Sequence, residues 1–497
     1  MFYAAIQDLK ASHYALPQYM SYNGGQIPFA YPPLGFYMAA AVSSLPGVTV
    51  LDSVRFLPLV FSCLTLAVFY RLGLTLLGSR RQAVVALWVF ALLPRAFNWE
   101  IVGGGVTRAP GFLFALVALD LGYRALQADA GRRYIAWSGA ATGLALLAHL
   151  EMGLFVAVSL SLFTGLGRPG GIRARAMITA SILVTALAVS SPWWLTNLVR
   201  FGADPFLAAA STGGHSPLSF LAAVGPSPAD ETLFPVLTAL ALLGVLIAAT
   251  RRDYCLAVWP LVLFIADPRK ASTSASVPLA LLAAVAVCGG IARVLAAQQS
   301  LEGEGEPSTS WTGRQRTFGY CVMGFGYVAA LLTPISPRSP LHSLSSPARD
   351  SMTWIAQETQ PGSRFAVVTG NPLWATDPVS EWFPGLTGRV SIATPQGREW
   401  LRNPSFKSIT ESFEDLQACH DSGLVCLEEW QARTGAAFGY VLVTNNSAVR
   451  NFTTSRQAVP VALAVALGES PDYELVFRNS ATSIYRRARA ANVPSPQ

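Results

Sequence analysis

The chain has 497 residues, 52% of them hydrophobic and only 13% charged, with a formal net charge of +7. Soluble domains carry about 25% charged residues, so much of this chain is built to face lipid. The basic balance does not signal nucleic acid: the arginines sit in short clusters between apolar runs, the pattern of cytoplasmic membrane loops.

Residues 1–16 read as an amphipathic helix lying on a membrane surface. A span needs about 20 apolar residues. Spans are predicted at 50–76, 82–99, 108–127, 134–149, 151–166, 176–196, 232–250, 254–267, 275–295 and 317–334, about ten in all. Basic loops follow every second span, at Arg71, Arg80 and Arg81, at Arg124, Arg132 and Arg133, at Arg168, Arg173 and Arg175, at Arg251 and Arg252, and at Arg293, Arg314 and Arg316. Those loops are assigned to the cytoplasm, which puts the intervening loops and both chain ends outside.

Beyond residue 336 the composition turns soluble. FAVVTG (365–370), RVSIAT (389–394), YVLVTN (440–445), ELVFRN (474–479) and SIYRR (483–487) read as strands. Stretches near 348–358, 410–418 and 427–434 read as helices. The predicted fold class is therefore a mostly α polytopic membrane protein with a C-terminal extracytoplasmic α/β domain. Its parts are an outer juxtamembrane segment 1–49, a transmembrane domain 50–336 and the α/β domain 337–497. Multi-pass insertion in the plasma membrane is expected.

Four cysteines, Cys63, Cys255, Cys288 and Cys321, lie in apolar runs, where a Cys acts as a small hydrophobe. Cys419 and Cys426 lie in the polar stretch CHDSGLVC. On the outer side they form either a local disulfide or two free thiols.

Several polar residues stand at outer membrane boundaries. Glu100 in FNWEIVGGG is either a functional carboxylate or a solvated loop acid. Arg108 follows Gly103, Gly104 and Gly105 at a helix start, where free N–H groups and a guanidinium suit a phosphate; lipid-interface snorkelling is the plainer alternative. His149 and Glu151, in AHLEMG, are forced to a membrane edge or cavity by the tight turn between two spans. Their spacing allows metal ligation, but two groups do not make a site, and a divalent metal is possible without being indicated. Arg269 and Lys270 in IADPRKAS run against the positive-inside trend, which a phosphate ligand would explain. Arg95 and Arg200 follow that logic more weakly. His215 is a loop candidate for sugar contact. Trp193 and Trp194 read as interfacial anchors. In the α/β domain, Asp377, Glu381 and Trp382 combine acid and aromatic groups as sugar-binding sites do, or else pack a structural loop. Asn445 and Asn451 stand in glycosylation sequons and receive no role.

Tyr31-Pro32-Pro33-Leu34, followed by a short apolar helix and a long span, resembles the C-type glycosyltransferase superfamily, which includes the protein mannosyltransferases, the aminoarabinose transferases of lipid A and the oligosaccharyltransferases. GGGVTRAPGFLFALVAL (103–119), AHLEMG (148–153), SPWWLTNLVRFGADPF (191–206), DPRKA (267–271) and residues 377–400 extend the likeness over nearly the whole chain in layout. The resemblance implies inverting transfer of a sugar from a polyprenyl-phosphate donor to an unknown acceptor, with membrane lipid as surroundings. It implies a substrate pocket that includes Tyr31, Pro32, Pro33, His149 and Glu151, and basic residues on the donor phosphate. It also implies a catalytic carboxylate in the first outer loop. Asp8, the one acidic residue in 1–49, lies past the usual position, and the expectation is that a first span and the base stand upstream of Met1. The alternatives are a non-catalytic binder and a flippase or transporter of lipid-linked sugars; internal repeats and broken midplane helices, the marks of a transporter, are not seen.

Overall fold

The computed structural model describes residues 1–25, 27–101, 105–127, 131–167, 171–212, 235–268, 271–301, 313–333, 343–445 and 461–488. The chain opens with α1 (Phe2–Ala11) and a short antiparallel pair, β1 (Tyr19–Met20) and β2 (Ile27–Pro28). A helical series follows: α2 (Leu34–Val42), α3 (Val50–Leu77), α4 (Arg80–Leu92), α5 (Pro94–Ile101), α6 (Gly105–Ala125), α7 (Arg132–Ala148), α8 (Leu150–Leu166), α9 (Ile172–Phe201), α10 (Asp204–Ser211), α11 (Val236–Thr250), α12 (Tyr254–Ala266), α13 (Ala271–Ala286), α14 (Ala292–Leu301) and α15 (Gly313–Leu332). The α/β part contains α16 (Ser346–Glu358), β3 (Arg364–Val368), α17 (Pro378–Thr387), β4 (Val390–Ser391), α18 (Phe406–Ser422), α19 (Leu424–Thr434), β5 (Tyr440–Thr444), α20 (Ala462–Glu469), β6 (Tyr473–Arg478) and β7 (Thr482–Arg487).

The chain divides into two compact units. One holds Tyr31–Thr196 and Gly213–Leu341; the other holds Met1–Ala30, Asn197–Thr212 and His342–Gln497. The first unit is helical. Among the described residues, four helices are long and apolar enough to cross a membrane: α3, α6, α9 and the continuous run Ala271–Leu295. The pair α4 and α5, bent by 49°, makes a fifth if it is one broken span. Helices α8, α11 and α12 are apolar but shorter. Each of the ten predicted segments overlaps a helix within its described residues, and four or five of those helices have the length and apolarity of a span. Burial separates inner from outer ones: 78% of the apolar window of α6 and 83% of that of Ala271–Leu295 is buried, against 33% for α3 and 22% for α9. Phe56, Leu59, Val60 and Leu64 on α3, and Met177, Val184 and Leu187 on α9, are exposed, as lipid-facing side chains are. A capping box fixes the start of α3, with Thr49 and Asp52 exchanging side chain and backbone hydrogen bonds.

The second unit contains a five-stranded sheet in the order β4-β3-β5-β7-β6. Strands β4, β3 and β5 are parallel, and β7 and β6 are antiparallel to their neighbours. Alternation along β3 sends Phe365 and Val367 to one face and Ala366 and Val368 to the other, and each face buries its own apolar cluster. Met352, Ile355 and Phe383 from α16 and α17 cover the first face. Phe413, Leu416, Leu427 and Leu463 from α18, α19 and α20 cover the second. The result is a three-layer α/β/α core. Cys419 and Cys426 form a disulfide.

The N-terminal segment also belongs to this second unit. The helix expected on a lipid surface over 1–16 is α1, and its apolar residues Ala4, Ala5, Ile6 and Leu9 are buried in protein instead. Tyr3 lies against Trp382, Tyr22 Oη donates to Glu381 O at 2.8 Å, and the Ser391 N–H donates to Asn23 Oδ1 at 2.7 Å. Once Tyr3 and Tyr22 have partners on α17, the apolar stripe of α1 has a protein face to cover.

Candidate functional site

In the helical unit, close backbone contacts bring distant polar residues together. Pro33 stands at the N-cap of α2, where a fixed φ and a missing N–H cost nothing. Two residues on, a Cβ at Gly35 would lie 2.3 Å from Val106 O and 2.8 Å from Thr107 Cα. Only glycine lets α2 approach the first turn of α6 so closely. Gly105 is constrained in the same way, because its Cβ would lie 2.1 Å from Glu100 O. These two contacts bring the Tyr31 segment, the end of α5 and the start of α6 together.

His149 breaks α7 from α8 with an extended backbone, and its side chain is buried. Its Nδ1 is 3.0 Å from Tyr31 Oη, and its Nε2 is 3.0 Å from Glu151 Oε2. An ionised carboxylate only accepts, so Nε2 carries the proton and Tyr31 O–H donates to Nδ1. Tyr31 Oη also lies 3.5 Å from Thr107 Oγ1. Arg108 Nη1 donates to Trp99 O at 3.2 Å, and its guanidinium carbon is 4.2 Å from the centroid of the Trp99 ring. That stacking aims Arg108 at the end of α5. Glu100 is 1% exposed, and neither of its carboxylate oxygens has a hydrogen-bond partner among the described residues. The charges of Arg108 and Glu151 act on it. An unpartnered buried polar group costs about 1–3 kcal/mol, more when charged.

Of the residues predicted from sequence, the helical unit therefore gathers Tyr31, His149 and Glu151 into one hydrogen-bonded chain, with Pro32 and Pro33 leading into α2. It also places Glu100 within reach of the Arg108 charge. Arg95 Nε donates to Ser272 Oγ at 2.6 Å. Trp99 and Thr107 were missed by sequence reasoning; each looks like an ordinary residue of an interfacial segment. Arg269, Lys270, Gly103, Gly104, His215 and Asn451 lie outside the described residues. Among the described residues, no group of three or more His, Cys, Asp or Glu could hold a metal ion.

The remaining candidates belong to the other unit. Asp8 Oδ2 accepts from Ser21 N at 2.8 Å and so closes the loop after α1. Arg200 Nη1 donates to Leu16 O and Pro17 O, both at 3.0 Å. Asp377 is the N-cap of α17: Oδ1 accepts from Val379 N and Ser380 N, and Oδ2 accepts from Thr369 Oγ1 at 2.7 Å. Burial pushes its carboxyl up to about 6, against the three hydrogen bonds that pull it down. Glu381 and Trp382, half-buried on α17, receive Tyr22 and Tyr3 as described above.

Fold and sequence both point to one class. Residues 30–196 match the family model described as dolichyl-phosphate-mannose-protein mannosyltransferase. Comparison with the curated proteins gave no match. Among solved structures, the chain is similar to the archaeal oligosaccharyltransferase AglB from Archaeoglobus fulgidus, in complex with an inhibitory peptide and a dolichol-phosphate, at 15% identity and TM-score 0.56 over 89% of this chain and 65% of that one. It is similar to ArnT from Cupriavidus metallidurans, bound to undecaprenyl phosphate, at 15% identity and TM-score 0.56 over 100% of this chain and 94% of that one. It is also similar to the arabinofuranosyltransferase AftD from Mycobacteria, at 18% identity and TM-score 0.52 over 97% of this chain and 39% of that one. The chain thus spans just under two thirds of the length of the archaeal oligosaccharyltransferase. The fold is that of the C-type glycosyltransferase superfamily of polytopic membrane proteins. Residues 30–196 carry the mannosyltransferase-like sequence pattern within it.

Proposed function

We propose that this protein is a membrane glycosyltransferase that passes a sugar from a polyprenyl-phosphate donor to an acceptor hydroxyl on the outer face of the membrane. The observation that carries this reading is Glu100, a buried carboxylate without a hydrogen-bond partner among the described residues, under the charge of Arg108 and inside the segment that matches the mannosyltransferase family model. In this reading Glu100 takes a hydrogen bond from a sugar or acceptor hydroxyl. Arg108 offers a charge-assisted contact to the donor phosphate as the C1–O bond breaks, and Arg269 and Lys270 supplement it. The α/β domain stands outside, where its disulfide is stable, and the plasma membrane holds the helical unit.

The test uses the full chain in vesicles with radiolabelled mannosyl polyprenyl phosphate and a mixture of envelope acceptors. Transfer of label out of the donor lipid is expected. Glu100→Gln should lower kcat by about a hundredfold while donor binding stays intact. Label that crosses the bilayer but stays on the lipid would identify a flippase, and label that binds without leaving would identify a non-catalytic receptor.

A further inference from the structure

We infer that Trp99 is a positioning residue for phosphate recognition: its ring and its carbonyl hold the Arg108 guanidinium in place, so that the phosphate of a polyprenyl-phosphate lipid meets a cation already aligned. The inference rests on the glycosyl-transfer reading, in which Arg108 contacts that phosphate, and names the residue that prepares it.

The placement begins in the backbone. Pro94 opens α5, which bends 49° away from α4 and carries Trp99 and Glu100 near its end. A Cβ at Gly105 would lie 2.1 Å from Glu100 O, so the chain returns closely on itself and α6 starts beside the end of α5. That return brings Arg108, in the first turn of α6, over the ring of Trp99 nine residues earlier.

Two contacts then fix the guanidinium. Its carbon lies 4.2 Å from the centroid of the Trp99 ring, and Nη1 donates to Trp99 O at 3.2 Å. The donors of Arg form a rigid planar fork, so a ring face on one side and a carbonyl at one nitrogen set the direction of all of them. Both partners are electrically neutral. They hold the cation without cancelling its charge, as a carboxylate would. Trp99 is half-buried, and its indole N–H makes no hydrogen bond among the described residues, so the face of the ring is what Trp99 brings to this site. An arginine ordered in advance loses less side-chain freedom when a phosphate arrives, which tightens binding. A ring that only packs would affect charged and uncharged lipids alike. A ring that acts through Arg108 affects the charged one.

The experiment titrates the detergent-solubilised full chain with polyprenyl phosphate and with the matching uncharged polyprenol. Trp99→Leu should weaken polyprenyl-phosphate binding about tenfold, the scale of a partly desolvated cation–π contact, with polyprenol binding unchanged. Trp99→Phe keeps an aromatic face and should weaken it about threefold or less; this variant carries the comparison if Trp99→Leu does not fold. Arg108→Gln should itself bind the phosphate lipid more weakly. In that background neither Trp99 change should weaken binding further, because the two residues act as one unit. Equal losses for phosphate and alcohol, or the same Trp99 loss with and without Arg108, would overturn the inference and leave the transferase reading standing. So would an Arg108→Gln protein that binds polyprenyl phosphate as wild type does. Wild-type protein that binds no polyprenyl phosphate overturns the transferase reading itself, and the inference with it.

Discussion

At the scale of single residues, Asp377 has a role that can be tested by pH. Its carboxyl is buried and pushed up to about 6 from an ordinary value of 3.8. The folded state therefore holds this proton more tightly than the unfolded chain does. The stability it contributes is complete below about pH 4 and is lost as the pH rises through about 6, a loss of about 3 kcal/mol. Asp377→Asn keeps an oxygen for the N-cap and removes the titration. The thermal midpoint of wild type should fall relative to this variant between pH 4 and 7. Parallel curves would show that Asp377 ionises as freely folded as unfolded. Sequence reasoning singled out Asp377 for its acid-and-aromatic neighbourhood. The local order Asp377-Pro378-Val379-Ser380, an N-cap followed by Pro in the first turn, already described a helix start. Glu100, Arg108, His149 and Glu151 were legible because polar side chains in apolar surroundings need a reason. The Tyr31–His149 contact was not, because nothing local marks a partner 118 residues away.

Among elements, small residues set how closely helices approach. On α7, Gly139 and Gly143 lie one turn apart, and a Cβ at either would meet the side chain of Thr185 or Val189 on α9 at 2.5 or 2.6 Å. This is the small-residue spacing that lets membrane helices pack backbone to backbone. Gly139→Val or Gly143→Val forces the pair apart and should cost about 1–3 kcal/mol, read as a lower thermal midpoint in detergent. Gly165 on α8 has nothing within 4 Å of its added Cβ. Gly165→Ala should therefore be neutral or stabilising by up to about 1 kcal/mol through helix propensity. If Gly143→Val and Gly165→Ala behaved alike, close packing of α7 on α9 would be wrong. The helices themselves were legible, since long apolar runs leave a chain in lipid no alternative to intrahelical hydrogen bonds. Which helices lie inside was less so: α6 and α9 have similar apolarity, and only the company they keep separates them.

For the whole molecule, the decisive quantity is the side of the membrane on which the α/β domain stands. Two independent features favour the outside. Basic clusters recur after every second apolar segment, and two of them are anchored together: Arg71 and Arg124 both pair with the buried carboxylate of Asp120, at 2.8 and 3.1 Å, tying the ends of α3 and α6 together. If that end faces the cytoplasm, the positive-inside rule carries the parity of the later segments to the outer side for the α/β domain. The Cys419–Cys426 disulfide is the second feature, since such bonds persist in oxidising compartments. Leu373 is 64% exposed in the α/β domain, and Arg80 opens α4 on the opposite assignment. In intact cells, Leu373→Cys should react with a membrane-impermeant maleimide, and Arg80→Cys should react only after permeabilisation. The four native free cysteines, all within helices of the membrane unit, set the background to subtract. Reversal of the two signals would place the domain in the cytoplasm. The acceptor and the sugar donor would then have to be sought on the inner leaflet, and the disulfide would need an explanation other than its compartment.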